Sequence, residues 1–98
     1  MYYLIHASDK PDSLDLRLAA RADHLARIQA LRDAGRLLTA GPLPAIDSAE
    51  PGPAGYCGSC IIAKFSSLTQ AEQWVADDPY QHAGVYASVE VKPFLQVF

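Results

Sequence analysis

No stretch of this chain is apolar over the roughly eighteen residues that a membrane-spanning helix needs. Its first ten residues, MYYLIHASDK, carry no basic segment ahead of a long apolar run. These absences argue against a spanning helix and a secretory leader, and the expected location is cytoplasmic. An excess of one charge is lacking too. Eight basic and eleven acidic residues give a formal net charge of −3, distributed without blocks, so neither nucleic acid nor an anionic membrane surface is an expected partner. G-x-S-x-G, G-x-G-x-x-G and Walker patterns are also missing. Those loops build nucleophile elbows and phosphate cradles, so no nucleotide or other cofactor is expected.

Cysteine is scarce, with Cys57 and Cys60 forming a single C-x-x-C. A redox pair would place the first thiol at a helix N-terminus, whereas Cys60 leads into Ile61-Ile62-Ala63-Lys64-Phe65, which reads as a strand. A structural zinc site needs two further ligands at close spacing, and the candidates His6, His24 and His82 are scattered. Ordinary strand-edge thiols are the simpler reading, with no metal.

What is present is a globular composition: half of the 98 residues are hydrophobic, enough for one domain with a real core and too few residues for two. Tyr2 to Ala7 reads as a strand stopped by Ser8-Asp9-Lys10-Pro11-Asp12. Ser13 is placed to N-cap a helix that runs without Pro or Gly from Leu14 to Ala34 and stops at Gly35. Leu37 to Ile46 holds a second strand, whose Pro42 and Pro44 place it at a sheet edge because proline cannot donate to a ladder. Asp47 to Gly58 reads as a long surface loop around Pro51-Gly52-Pro53, and Gly58 to Phe65 as a third strand. Ser67-Leu68-Thr69-Gln70 is a capping box opening a second helix that ends near Asp77. In the last strand Val85, Ala87, Val89 and Val91 alternate with Tyr86, Ser88, Glu90 and Lys92, which assigns Tyr86 to the face opposite the valines.

The order βαββαβ predicts an α+β, ferredoxin-like domain: a four-stranded antiparallel sheet with both helices on one face. The uncovered sheet face and the apolar tail Phe94, Leu95, Val97 and Phe98 call for a second copy, and hence a homodimer through sheet faces.

Candidate chemistry gathers on the first helix. At about 100° per residue, Arg17, Arg21, His24, Ile28 and Leu31 share one stripe. Its C-terminal half is plain core. Its N-terminal half turns two guanidiniums and an imidazole toward the sheet, which implies a polar cleft there; the plainer alternative is that the arginines snorkel to solvent and His24 is a satisfied histidine. Asp78 is the natural partner for His24, since Pro79 holds it extended at the exit of the second helix, where the helix dipole disfavours a carboxylate. A His with an Asp partner serves as a general acid or base near neutral pH. Ser59 is the one hydroxyl worth weighing as a nucleophile, and no third member of a triad is evident. Tyr80 either lines the cleft or packs beneath the loop. Gly41-Pro42 forms either a pocket wall or a plain strand kink. Trp74 reads as core, and His6 and His82 as surface.

Arg21-Ala22-Asp23-His24-Leu25, Gly35-Arg36-Leu37-Leu38-Thr39-Ala40-Gly41-Pro42, Ala71-x-x-Trp74, Asp77-Asp78-Pro79-Tyr80, Gly84-Val85-Tyr86 and Val91-Lys92-Pro93-Phe94 together resemble the YciI (YCII-related domain) family over the whole chain. The resemblance implies a ferredoxin-like fold dimerising through its sheets as a dimeric α/β barrel, similar to muconolactone isomerase. It also implies a His/Asp active-site pair, here His24 and Asp78. The family includes a dehydrochlorinase acting on a chlorinated hydroxyquinone. The expected function is proton transfer by His24, oriented by Asp78, on a small anionic or cyclic substrate, in a lyase, dehydrochlorinase or isomerase type of reaction. Arg17, Arg21, Gly41, Pro42, Ser59 and Tyr80 are the expected substrate-binding residues. The competing reading is a noncatalytic small-ligand-binding or accessory module using the same cleft.

Overall fold

The computed structural model describes residues 1–98. The elements are β1 (Tyr2–Asp9), α1 (Leu14–Asp33), β2 (Leu37–Pro44), β3 (Tyr56–Lys64), α2 (Leu68–Ala76), the single turn α3 (Pro79–His82) and β4 (Tyr86–Phe94). The four strands form one antiparallel sheet in the order β2-β3-β1-β4, the ferredoxin-like arrangement expected from the sequence. The proline-bearing β2 lies at an edge, where its missing N–H groups leave no gap in a ladder. The loop between β2 and β3 contains one 3-10 turn at Gly52–Ala54. No helix is long and apolar enough to cross a membrane.

The core lies between the sheet and the helices. Tyr3, Ile5 and Ala7 of β1 and Ile61 and Ala63 of β3 alternate into it, meeting Leu31, Ala71 and Val75 from the helices. Full burial of a side chain such as Ile5 or Ile61 contributes about 1.5–3 kcal/mol. The period of two continues past the apolar residues: Asp9 follows Ala7 and Ser59 precedes Ile61 on the inward face, so the end of the sheet beneath the start of α1 is polar.

Local signals explain the element ends. Gly35, at φ 70°, closes α1 as a Schellman motif, with Arg36 N–H donating to Leu31 O and Gly35 N–H to Arg32 O. Ser67 Oγ accepts from Gln70 N–H at 3.1 Å to cap α2. Ser13 occupies the cap position of α1 but makes no capping bond; its hydroxyl donates to Lys10 O at 2.7 Å and holds the preceding turn instead.

Two sequence expectations are corrected. Asp78 does follow α2, one residue past its C-cap Asp77, but it is also the N-cap of α3, and its carboxylate accepts from Tyr80 N–H at 2.9 Å, so the unfavourable end of one helix is offset by the favourable end of the next. Tyr86 does not face away from the valines either. The β1–β4 register shifts between Ser8 and Asp9, pairing Ser8 with Ser88 but Asp9 with Tyr86. One extra residue in β4 therefore reverses the alternation and turns Tyr86 inward, where it is buried.

Gly58 is demanded by contact. A Cβ there would overlap the backbone oxygen of Ala7, whereas one at Gly41 would meet no atom. Gly58→Ala is expected to destabilise the fold by about 2–3 kcal/mol or more through forced separation of β1 and β3, and Gly41→Ala by less than about 0.5 kcal/mol, as read by urea unfolding.

Candidate functional site

A cleft of about 200 Å³ opens between the N-terminal half of α1 and the β2–β3 end of the sheet. Arg17, Arg21, His24, Gly41, Pro42, Ser59 and Tyr80 all line it. Asp78 stands behind His24, fully buried. The tertiary structure thus gathers every residue singled out above. It gives them unequal tasks.

His24 is 7% exposed and Asp78 0%. His24 Nδ1 lies 2.9 and 3.0 Å from the two carboxylate oxygens of Asp78. A carboxylate only accepts, so Nδ1 carries the proton and Nε2 is left as the free nitrogen. Nε2 has no partner in the protein and is not sealed from solvent. Tyr80 stacks flat on the imidazole, with ring centroids 3.9 Å apart and planes 13° apart. Both readings of Tyr80 hold together, because it is buried and it lines the cleft. Burial raises the Tyr80 phenol above its ordinary value, with the Arg17 charge opposing the shift. The phenol stays neutral.

Arg17 departs from the expectation of a free anion-binding group. It is 4% exposed and grips Asp9 through two parallel bonds, Nε to Oδ2 and Nη2 to Oδ1, both 2.9 Å. Nη2 also reaches Gly58 O at 3.0 Å and Ser59 Oγ at 2.9 Å. Burial works against the guanidinium charge, but the bonds and field of Asp9 outweigh it and raise the Arg17 pKa. The pair is a neutral unit that pins α1 to the sheet. Arg21, by contrast, is exposed at the rim and makes no ion pair.

Three neighbours escaped the sequence reading. Asp9 looked like part of a turn, although its same-parity spacing from Tyr3, Ile5 and Ala7 was a usable signal. Tyr86 was hidden by the bulge. Tyr56, at the start of β3, lines the cleft with Arg17 Cζ 5.6 Å from its ring centroid. Elsewhere Trp74 packs at the core margin against Phe65, His6 and His82 are exposed, and Cys57 and Cys60 are free thiols on β3.

A family model of the YCII-related domain matches residues 1–95. The chain belongs to that family. It is 59% identical to Protein YciI of Escherichia coli O6:H1 (strain CFT073) over 98 residues, the whole of both chains. Over the same length it is 56% identical to an uncharacterized protein of Haemophilus influenzae (strain Rd). Among solved structures it resembles a 5-chloro-2-hydroxyhydroquinone dehydrochlorinase from Burkholderia phenoliruptrix AC1100, in complex with 2,5-dihydroxybenzoquinone. That match has a TM-score of 0.84 and 27% identity, covering 97% of this chain and 94% of that one.

The two arginines are separated by stability. Arg17→Ala strands Asp9 as a buried unpaired carboxylate and is expected to cost about 3–5 kcal/mol, while Arg21→Ala should stay within about 0.5 kcal/mol of the parent; urea unfolding of both variants reads the difference.

Proposed function

We propose that this protein is a small-molecule enzyme in which His24, oriented by Asp78, transfers a proton on a small anionic or cyclic substrate, in a lyase, dehydrochlorinase or isomerase type of reaction. The observation that carries the reading is the placement of His24: one ring nitrogen is committed to a buried carboxylate, and the other is left for the cleft. Nε2 takes a proton from the substrate as Asp78 stabilises the imidazolium through Nδ1–H. The electron pair released on the substrate then expels a leaving group, which completes an elimination, or is reprotonated at another atom, which completes an isomerisation. The likeness to the dehydrochlorinase supports the first outcome, in which chloride departs. A 200 Å³ cleft suits a single-ring compound, since a cavity of about 150 Å³ already accepts benzene. Arg21 supplies the preference for an anion. Its role now stands apart from that of Arg17, whose charge Asp9 already answers.

The working unit is a homodimer through sheet faces in the cytoplasm. The face away from the helices has no cover within the chain, and Leu95, Val97 and Phe98 are exposed beside it. Free Cys57 and Cys60 suit a reducing compartment.

A thermal-shift screen of small ring compounds, including 5-chloro-2-hydroxyhydroquinone, followed by turnover assays on each hit, tests the chemistry. His24→Ala is expected to lower turnover by about 10²–10⁴-fold with a much smaller change in affinity. Equal turnover in parent and variant, with Arg21→Ala weakening binding at least as much as His24→Ala, would identify a binding module instead.

Light scattering at micromolar concentration is expected to give a dimer. A monomer would remove the sheet-face assembly.

A further inference from the structure

The buried wall of the cleft holds a hydroxyl whose surroundings dictate where its proton points. Ser59 is 3% exposed, and its Oγ lies 2.9 Å from Arg17 Nη2 and 3.2 Å from Tyr86 OH. A guanidinium only donates, so one lone pair of Ser59 is taken. Tyr86 is 3% exposed, and its hydroxyl has no other partner. If Ser59 donated to it, the phenolic proton would be buried without an acceptor, at the full cost of desolvation. Tyr86 therefore donates to Ser59. Burial raises the Tyr86 phenol well above its ordinary value and keeps that proton in place. With both lone pairs of Ser59 engaged, its own O–H is the one bonding capacity left. No protein acceptor takes it, and Ser59 borders the cleft.

The charges around the cleft set the other half of the argument. Arg17 is matched by Asp9, and any positive charge on His24 by Asp78. Arg21 at the exposed rim is the remaining cation of the lining. Beyond Arg21 the lining offers no unmatched cation to offset the desolvation of a second negative charge, and donation from one hydroxyl does not neutralise it.

We infer that the Ser59 hydroxyl is a preset hydrogen-bond donor to the ligand, and that the ligand is a singly charged ring compound that presents an uncharged acceptor oxygen, such as a carbonyl, to Ser59 and its negative group to Arg21. Arg17 and Tyr86 are positioning residues that hold the hydroxyl by occupying its lone pairs. Arg21 takes the negative end. The inference rests on reading the cleft as a ligand site and adds the polarity of what enters it.

Calorimetric or NMR titration with 4-formylbenzoate and 4-methylbenzoate tests it, because the two share ring, charge and length and differ in the acceptor. The protein is expected to prefer 4-formylbenzoate by about two- to tenfold, the worth of one net hydrogen bond. Ser59→Ala should abolish the preference while still binding 4-methylbenzoate. Tyr86→Phe, which keeps the ring and removes the donor, should reduce the preference in the parent background and have no effect on it in Ser59→Ala. That coupling would not arise from a merely structural role of Tyr86. Binding of both compounds with equal affinity, or a preference that survives Ser59→Ala, overturns the assignment of Ser59 and leaves the cleft reading standing. Failure of both compounds to bind at millimolar concentration overturns both.

Discussion

The carboxylate of Asp78 is wholly removed from water, and the site depends on how that cost is met. A buried carboxylate without donors loses several kcal/mol, so its surroundings must supply them. Two do so: the Tyr80 backbone N–H, which α3 offers by starting at Pro79, and the Nδ1–H of His24 on α1. Satisfying Asp78 therefore ties α3 to α1 and selects the histidine tautomer with Nε2 free. It also lays Tyr80 along the imidazole plane. The orientation of the imidazole is a by-product of keeping one buried charge hydrogen-bonded.

A second buried charge pair is organised on the same principle with a different result. Arg17 and Asp9 neutralise each other, and the second N–H of Nη2 is shared between Gly58 O and Ser59 Oγ. The planar fork of arginine makes this possible, since one lysine ammonium would not hold a carboxylate side-on and still reach β3. The charge of Arg17 is thereby matched within the protein, although its Nη1 makes no hydrogen bond and the residue still lines the cleft. The cleft is left with one open histidine nitrogen, one rim cation and charge pairs that are matched within the protein.

Much was legible in the residues alone. The ends of α1 and α2 followed from Gly35 and Ser67, the edge position of β2 from Pro42 and Pro44, and the inward stripe of α1 from the spacing of Arg17, His24 and Leu31. These are local rules, each settled by the stereochemistry or periodicity of a few adjacent residues. The βαββαβ order came from them together.

The facts that decided the chemistry were of another kind. Asp9 became the partner of Arg17 because a strand continued two residues beyond its apolar run. Tyr86 reached Ser59 because a register shift against β1 reversed the alternation of β4. Asp78 became a helix cap, and not a misplaced charge, because a further turn of helix formed behind it. Each depends on what a distant segment presents across a sheet or a helix pair, and no local pattern encodes that partner. Sequence determined which residues were polar where core was expected. Only the tertiary structure decided which of those charges cancel and which atoms are left facing the cleft, because pairing is settled by distance in the folded chain.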